Sequence, residues 1–509
     1  MLRPQRSRTL AAALLLLAAA CSKETSDRWN VVVVTLDTTR ADSLSCYGQR
    51  PGANTPHMDA LAADGVRFAQ AHSVCSVTPV SHASILTGQY QYKHGLRVIA
   101  GTGGFSLPAD VPHLGEMLKR HGWTTVAVHS AFPVSSYFGF DRSFDLFDSL
   151  ETSLIGNAAG LQGWDVDQFQ RRSDETVDRA IGALERVGDD PFFLWLHLWD
   201  PHDMSKLPPD EYIEANRPDE NWREKWPASK VWRRRYDVEV QYMDEQLGRL
   251  VEHLKANGSY ERTLFVITSD HGEGLGEHEW LSHRLVYQEQ LEVPLILRWP
   301  GGPTGRVVEG IASSVDVVPT VLAAMGIPFD AETIDGVNLL DAVGAGRAPD
   351  RITYGDQVNG YDTNAVMVLR RPKDDFLYMV NDGRWKLTWR PSFPADGELF
   401  DLANDPDEAH NLFGQALEPQ RRLVRDLAAR DSWVTAPIAP LEGVQQSAEA
   451  LRALEKLGYV GADGTAQVVE PRWAWGCAEH LDVILEDPAQ TCPRCDAPLL
   501  LRTAEAVVR

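Results

Sequence analysis

The chain has 509 residues, of which 43% are hydrophobic and 24% are charged, and its formal net charge is −23 at pH 7. This apolar content is enough for one large core with appendages, because typical domains contain about 100 to 250 residues. The strong negative charge argues against a protein that binds nucleic acid or an anionic membrane surface by general electrostatic attraction. An anionic substrate would need local positive charge at its site.

The N-terminus has the pattern of an export signal. Three arginines precede the apolar stretch 10–20, which is too short to span a membrane. It leads into Ala18-Ala19-Ala20-Cys21, which resembles a lipobox. We therefore expect residues 1–21 to be a lipoprotein signal peptide, with Cys21 lipidated and Ser22 favouring the periplasmic face of the outer membrane. Ordinary secretion after cleavage nearby is the alternative, and both place the protein outside the cytoplasm.

Three apolar runs are typical of strands buried on both faces of a parallel sheet, and each ends in side chains that can bind metals. The runs are Asn30–Leu36 followed by Asp37, Phe192–Trp199 followed by Asp200-Pro201-His202, and Leu264–Ser269 followed by Asp270-His271. In open α/β sheets ligands bind beyond the carboxyl ends of the strands. We expect these side chains to surround one crevice.

Between these runs helical and strand patterns alternate, which predicts an α/β fold with a large, mostly parallel sheet between layers of helices. Apolar residues at helical spacing between Val240 and Leu254 predict one of the covering helices. After about residue 310 we expect a smaller subdomain with an antiparallel sheet. Its signal is a hairpin in which Phe376–Val380 and Trp385–Trp389 flank the turn residues Asn381-Asp382-Gly383.

The segment Ser205–Arg235, rich in Pro, Trp, Arg and Lys, predicts a loop over the crevice. Loops of this kind select substrates, and here Trp222, Trp226, Trp232 and Arg233–Arg235 would meet a sugar or a lipid headgroup. A solvated lid without such contacts is the alternative.

Thr78 is predicted to begin a helix near the crevice. Threonine is a good N-cap, and Pro79 is preset for the first helical position. The amides and the dipole at this terminus would favour a bound phosphate or sulfate. An alcohol beside a divalent cation is activated as a nucleophile, so Thr78 is the candidate nucleophile of an ester-cleaving enzyme. The alternative is that Thr78 only caps the helix.

Several long motifs, in order along the chain, resemble the sulfatase family of the alkaline phosphatase superfamily. The resemblance covers about residues 28–462 and implies a catalytic core at 28–310, with the rest of the domain and its C-terminal α+β subdomain at 311–462. The motifs are Asp37–Asp42, Asn54–Pro56, Gly65–Phe68, Ser81–Gly88, Thr268–Glu273, Val293–Gly301, Glu398–Leu402 and Leu457–Val460.

One departure from the family pattern changes the expected chemistry. Sulfatases carry Cys or Ser within Cys/Ser-x-Pro-x-Arg and oxidise it to formylglycine, whereas this chain has Thr78 in the nucleophile's place and His82 in the arginine's place. Threonine cannot become formylglycine, and Cys75 lacks the maturation pattern. An unmodified threonine resembles the phosphodiesterases and phosphotransferases of the superfamily. We therefore expect phosphoester cleavage or transfer, with sulfate ester cleavage as the alternative.

The resemblance also implies the metal ligands. Asp37, Asp270 and His271 would bind a divalent cation, with Thr78 as a further oxygen ligand. Thr38 stands where sulfatases have a second Asp, and His271 where many have Asn. Mixed carboxylate and imidazole ligands suit zinc, manganese, calcium or magnesium, and these two departures favour zinc or manganese over calcium.

The remaining roles fall on histidines. By resemblance, His202 or His283 would protonate the leaving oxygen after Thr78 attacks, and His82 would bind the substrate anion. Water or a second alcohol would then resolve the phosphothreonine. Three isolated histidines are expected to be structural or to support the ligands: His94, His129 and His197.

The tail carries a separate signal after a predicted linker at 463–472. Within the predicted module 473–502, Cys477-x2-His480 and Cys492-x2-Cys495 have the spacing of a tetrahedral zinc site. The pattern resembles short heavy-metal-binding modules of bacteria. A disulfide between Cys492 and Cys495 is the alternative in an oxidising compartment.

Three hypotheses follow. The first is a threonine-dependent phosphoester hydrolase or transferase, whose substrate is a small anionic ester or a phospho- or sulfo-conjugate of an envelope glycan or lipid. The second is a protein of this fold that binds an anionic glycan or lipid with little turnover. The third is an envelope lipoprotein that handles metals through its tail.

Overall fold

The computed structural model describes residues 28–48, 52–100, 106–142, 144–148, 150, 169–202, 206–216, 229–362, 370–430, 473–480, 483–485 and 490–503. The predicted lipobox with Cys21 and the predicted linker 463–472 lie outside these ranges. None of the helices within them combines the length and the apolar character that crossing a bilayer requires.

The largest sheet has eight strands. They are β1 Asn30–Leu36, β2 Val66–His72, β3 Thr124–His129, β4 Leu146–Asp148, β5 Phe192–Leu198, β6 Thr263–Thr268, β7 Leu295–Arg298 and β8 Arg306–Ser313. Their order is β4-β3-β5-β1-β6-β7-β2-β8, and only β7 runs antiparallel to its neighbours. The three predicted strands that end in metal-binding side chains are therefore adjacent, in the order β5-β1-β6.

The α-helices lie between these strands and after them along the chain. They are α1 Pro56–Ala63, α2 Thr78–Thr87, α3 Gln91–His94, α4 Leu114–Arg120, α5 Ser173–Val187, α6 Asp210–Asn216, α7 Ser229–Ala256, α8 Gln288–Leu291, α9 Val317–Ala324, α10 Leu340–Ala345 and α11 Leu417–Ala428.

Helices cover the large sheet on both faces. Alternate residues of β1 face two different hydrophobic clusters, with Val31 and Val33 in one and Val32 and Val34 in the other. The first cluster includes buried residues of α2, α4 and α9, and the second includes residues of α1, α5 and α7. Burial on both faces explains why the central strands are continuous apolar runs rather than alternating ones.

The structure corrects the prediction of a loop at Ser205–Arg235. Helix α6 lies within that segment, and α7 begins at Ser229, well before its predicted apolar stripe. Trp232 is buried in a hydrophobic core cluster and is not exposed on a loop. Trp222 and Trp226 lie outside the described residues. The large apolar ring of Trp232 packs in the core and so continues the buried face of α7. The basic residues that follow Trp232 in the sequence hide this apolar position.

Two smaller antiparallel sheets complete the fold. The first contains β9 Thr353–Gln357, β10 Leu377–Asn381, β11 Trp385–Trp389 and β12 Glu398–Asp401, in the order β12-β11-β10-β9. The second contains β13 Trp473–Gly476, β14 Ile484–Leu485 and β15 Leu500–Thr503, in the order β14-β13-β15. The predicted α/β fold with a smaller antiparallel subdomain is confirmed. The predicted division at 310 falls within β8, which still belongs to the large sheet.

Candidate metal centre and nucleophile

Asp37, Asp270 and His271 come together at the carboxyl edge of the large sheet. Asp37 follows β1, and Asp270 and His271 follow β6, which is paired with β1 in parallel. One potential ligand atom from each lies within 4.8 Å of the others, and all three residues are fully buried. The structure thus assembles the predicted metal ligands into one compact cluster.

The oxygen atoms of this cluster fit a cation. Among the described residues, Asp37 Oδ1, Asp270 Oδ2 and Thr38 Oγ1 are buried without a hydrogen-bond partner. Burial raises the pKa of Asp37 well above its usual value, and the nearby carboxylates of Asp270 and Glu273 raise it further. Two adjacent buried carboxylates repel each other unless positive charge lies between them. A divalent cation held by Asp37, Asp270 and His271 would remove that cost.

His271 presents the correct ring nitrogen to this cluster. Its Nδ1 lies 2.9 Å from the carbonyl oxygen of Gly272, so Nδ1 carries the proton and donates it. Its Nε2 therefore has a lone pair, which faces Thr78 Oγ1 at 3.3 Å and Asp270 Oδ2 at 3.3 Å. A nitrogen lone pair in this position is suited to a metal.

His197 holds the carboxylate of Asp37. It is fully buried on β5, and its Nε2 lies 2.9 Å from Asp37 Oδ2. The amide of Ser130 donates to Nδ1 at 3.4 Å, which leaves the ring proton on Nε2 to be donated to Asp37. Asp37 Oδ2 is thereby engaged, and Oδ1 is left for a cation.

Three hydrogen bonds to the side chains of Asp270 and Tyr236 hold the loop after Asp37 in place. Thr38 has φ of 50°, in the left-handed region that a β-branched residue rarely adopts. Its amide donates to Asp270 Oδ1 at 3.0 Å, and its carbonyl accepts from Tyr236 Oη at 2.6 Å. The amide of Arg40 in turn donates to Tyr236 Oη at 2.9 Å. These bonds hold the strained backbone and with it the carboxylate of Asp37.

Thr78 begins α2, but it is not the N-cap that was predicted. Val77 occupies that position, and the hydroxyl of Thr78 makes no capping bond. The predicted amide cradle is also smaller than expected, because Pro79 has no N–H and the amides of Val80 and Ser81 donate to the Val77 carbonyl. The hydroxyl of Thr78 instead faces His271 at the metal cluster.

His82, the predicted anion-binding residue, lies beneath the backbone of Thr78 in α2. It is fully buried, and its Nδ1 donates to the carbonyl oxygen of Thr78 at 2.8 Å. Its Nε2 accepts from the hydroxyl of Thr35 at 3.0 Å, and that hydroxyl accepts from Trp195 Nε1 at 3.2 Å. Burial lowers the pKa of His82, so the ring is neutral. With both nitrogens engaged, His82 positions Thr78 and has no atom left for the expected anion contact.

His202 and His283 lie side by side next to His271. The ring centroids are 5.1 Å apart for His202 and His283 and 4.7 Å apart for His283 and His271. His202 stacks on Trp199 at 3.7 Å, and His283 Nδ1 lies 3.3 Å from Glu273 Oε2. Burial raises the pKa of Glu273 to about 8, so its carboxyl group can donate to His283. The predicted proton donors therefore adjoin the cluster.

Neither Tyr236 nor Glu273 is assigned a role from the sequence, although Glu273 ends the motif Thr268–Glu273. Glu273 could have been found, because it lies two residues after His271 in the same loop. Tyr236 could not, because it lies on α7, far along the chain from the loop that it holds.

The tail residues Cys477, His480, Cys492 and Cys495 form a second cluster, with one ligand atom of each within 4.8 Å of the others. The five cysteines in the described part of the chain are free, so the alternative disulfide between Cys492 and Cys495 is not formed. His94 and His129 take no part in either cluster.

Two family models match the chain. The sulfatase model matches residues 29–327, and a model of the C-terminal region of N-sulphoglucosamine sulphohydrolase matches residues 276–430. Because the first match spans more than half of the 509 residues, the chain belongs to the sulfatase family. It is a metal-dependent hydrolase of sulfate or phosphate esters.

The relatives include sulfatases and a protein of the wider alkaline phosphatase superfamily. The chain is 24% identical to the N-acetylglucosamine-6-O-sulfatase of Bacteroides thetaiotaomicron, over 80% of this chain and 86% of that one. It is 26% identical to the multifunctional alkaline phosphatase superfamily protein PehA of Trinickia caryophylli, over 80% and 95%. The fold also matches the phosphonate monoester hydrolase of Agrobacterium radiobacter, with TM-score 0.62, 21% identity and coverage of 83% and 99%.

Proposed function

We propose that this enzyme cleaves phosphate esters with unmodified Thr78 as its nucleophile. The observation that carries the proposal is the position of Thr78 Oγ1, which is buried, makes no capping bond and lies 3.3 Å from His271 Nε2 at the edge of the metal cluster. His82 bonds the backbone carbonyl of Thr78 and so helps to fix the residue that carries this oxygen. A side chain that only capped the helix would direct its hydroxyl to the helix amides.

The residues of the site would act as follows. A cation bound by Asp37, Asp270 and His271 supplies positive charge that favours deprotonation of a neighbouring alcohol. Thr78 Oγ1 would give up its proton and attack phosphorus, the bond from phosphorus to the leaving oxygen would break, and that oxygen would take a proton from His202 or His283. Burial lowers the pKa of both imidazoles, so each ring has to receive a proton before it gives one, and for His283 the Glu273 carboxyl group can supply it. Water or a second alcohol then attacks the phosphothreonine and frees Thr78.

The substrate is proposed to be a small anionic ester or a phospho- or sulfo-conjugate of a glycan or lipid. A relative solved with D-glucosamine-2-N,6-O-disulfate as its substrate has TM-score 0.62 and 22% identity, over 80% of this chain and 98% of that one. We further propose that the protein acts outside the cytoplasm, attached to a membrane through Cys21, because the sequence before the catalytic domain resembles a lipoprotein signal.

Sulfate ester hydrolysis is the second candidate. It is favoured by the family match and by relatives such as the N-acetylglucosamine-6-O-sulfatase. In this case Thr78 would attack sulfur directly, because a threonine side chain cannot supply an aldehyde hydrate.

The test compares turnover of aryl phosphate monoesters, phosphate diesters and sulfate esters by the chain from Ser22, loaded in turn with zinc, manganese, calcium or magnesium. Thr78→Ala should lower turnover by about 10³-fold or more, because it removes the nucleophile. Thr87→Ala is the matched control, since Thr87 is equally buried in α2 but its hydroxyl donates to the Ala83 carbonyl and accepts from the Gln89 amide, away from the metal cluster. It should keep activity.

Phosphodiester turnover that is lost in Thr78→Ala, with a phosphothreonine at residue 78 found by mass spectrometry, would support the proposal. Turnover limited to sulfate esters would replace it with the second candidate. Unchanged turnover in Thr78→Ala would refute both, because each requires this oxygen to attack.

A further inference from the structure

The four ligand atoms of the tail cluster have the spacing of a tetrahedral zinc site. Cys477 Sγ lies 3.7 Å from His480 Nδ1 and 3.6 Å from Cys495 Sγ, and Cys492 Sγ lies 3.5 Å from His480 Nδ1. Zinc bonds of about 2.3 Å to sulfur and about 2.0–2.1 Å to nitrogen give tetrahedron edges of about 3.8 and 3.6 Å. The observed edges match these values closely.

The local backbone directs two amides at one of the ligands. The amides of Glu479 and His480 both lie 3.3 Å from Cys477 Sγ, in the turn that follows β13. Burial raises the pKa of the Cys477 thiol, and these two donors offset part of that effect, while a bound cation would supply the remaining stabilisation of the thiolate. The second ligand pair lies in another tight turn, in which Asp496 has φ of 55° and its amide donates to the Cys492 carbonyl.

The types of ligand atom and their tetrahedral arrangement indicate which metal ion this cluster would bind. Three sulfur ligands and one imidazole in a tetrahedral arrangement favour zinc over magnesium or calcium, which prefer oxygen ligands. All four positions are filled by protein atoms, so no position is left open for a substrate. A disulfide does not describe this cluster, because a bonded pair of sulfur atoms would lie about 2.05 Å apart.

The same turn also contacts the catalytic domain. Glu479, between the ligands Cys477 and His480, forms a bidentate ion pair with Arg421 of α11 at 2.5 and 2.9 Å. Because the Arg421 side chain is half exposed, this pair alone contributes little to stability. The larger contribution is apolar, since Trp475 and Leu500 belong to the main hydrophobic cluster of the catalytic domain.

We propose that the tail cluster binds one structural zinc ion and that this ion holds the sheet of β13, β14 and β15 against α11. Zinc fixes the two turns relative to each other, and the turn that contains Glu479 then fits against Arg421. This inference concerns a site separate from the ester-cleaving centre, so it stands or fails independently of the proposed function.

The first experiment measures zinc content in the full chain from Ser22. Asp37→Asn/Asp270→Asn, which disables the other cluster, should retain one zinc per chain. Cys477→Ser/Cys492→Ser in that background should retain none, while Cys46→Ser, a free cysteine outside the module, should retain one. Equal zinc in the double cysteine variant, or a Cys492–Cys495 disulfide in the isolated protein, would overturn the proposal.

Two further measurements guard against misfolding of the cysteine variants. His480→Cys preserves four ligands and should retain zinc, and cobalt added to the zinc-free chain should give the strong visible absorption of a tetrahedral thiolate site. Hydrogen exchange tests the docking: removal of zinc should speed exchange in residues 473–503 and in 417–428. Unchanged exchange in 417–428 would show that the ion does not hold the module to α11.

Discussion

At the scale of single residues, the metal centre depends on neighbours that do not touch the ion. His197 and His129 are adjacent, fully buried histidines on paired strands, yet only His197 donates to a ligand. Both ring nitrogens of His129 lack a hydrogen-bond partner among the described residues. A comparison of variants at these two positions therefore separates the effect of losing one hydrogen bond to a metal ligand from the effect of losing a buried imidazole.

We expect His197→Leu to weaken metal binding by about 10–100-fold, because loss of such a supporting hydrogen bond frees the ligand to move. His197→Gln keeps a donor near Nε2 and should retain most of the affinity. Titration with manganese or calcium measures this effect at the oxygen-rich centre, since the thiolate cluster disfavours both ions. His129→Leu is the control and should leave affinity unchanged. Equal weakening in the Leu and Gln variants would point to packing instead.

Glu273 should make the stability of the metal-free protein depend on pH. Burial raises its pKa from 4.5 to about 8, so between these values the folded state holds a proton that the unfolded state has released. Stability therefore falls as pH rises through this window. Glu273→Gln should flatten the decline in denaturant unfolding of the metal-free chain. A wild-type slope that persists in the variant would assign the decline to other groups.

At the scale of elements, α7 connects distant parts of the molecule. Near the start of α7, the hydroxyl of Tyr236 bonds the loop after β1. Further along the same helix, the carboxylate of Asp244 accepts hydrogen bonds from the backbone amides of His57 and Met58 at 3.0 and 2.8 Å. Those amides belong to the first turn of α1, so a side chain of α7 caps α1. The helix that covers the sheet thus also holds the loop beside the metal centre and the start of α1.

Tyr236→Phe should cost about 1–3 kcal/mol of stability, because it leaves the Thr38 carbonyl and the Arg40 amide buried without a partner. It should also weaken metal binding, since these bonds hold the backbone beside Asp37. Tyr47→Phe is a matched control: Tyr47 Oη also bridges a backbone amide and carbonyl, both of Leu295, but on β7. Chemical denaturation and metal titration should show similar destabilisation in both variants and weaker metal binding only in Tyr236→Phe.

At the scale of the whole molecule, a buried ion pair joins the small sheet to the catalytic core. Lys386 on β11 lies 2.7 Å from Glu408, and both side chains are fully buried. Gln288 of α8 contacts both residues. Its side-chain oxygen accepts from Lys386 at 3.3 Å, and its backbone amide donates to the Glu408 carboxylate at 2.6 Å. The pair therefore lies where the two parts of the sulfatase fold meet.

Lys386→Met should destabilise the protein by about 3–5 kcal/mol, because it leaves the Glu408 carboxylate buried without its counterion. The double variant Lys386→Met/Glu408→Leu removes both charges and should recover most of that loss. Unfolding in urea compares the two. A double variant as unstable as the single one would mean that the pair contributes through packing and not through charge.

Local patterns were sufficient for much of this architecture. The runs that became β1, β5 and β6 are apolar throughout because both sheet faces are covered, and their parallel pairing brings Asp37 and Asp270 together. The tail ligands were likewise predictable, since Cys477 to Cys495 form a dense, regularly spaced set. In each case the information lies in a short stretch of chain.

What escaped prediction depends on contacts between distant segments. His82 occupies a motif position that implies a substrate contact, but Thr35 on β1 and the Thr78 carbonyl take both of its nitrogens. Trp232 lies among basic residues typical of a surface, yet the packing of α7 on the sheet buries it. The hydrogen bonds of His82 and the burial of Trp232 both depend on which strand or helix packs against these residues. A single sequence does not specify that packing.

The reversed strand β7 has a consequence for how this enzyme can diversify. The chain leaves the site edge after His271 and returns to the same edge at Val293, where the amide of Val293 donates to the Ala71 carbonyl at 2.9 Å. The intervening segment, which carries His283, is therefore anchored at both ends on one side of the sheet. Insertions or exchanges there would remodel the wall of the site without shifting the register of any strand, so new substrate preferences can be acquired while the scaffold stays unchanged.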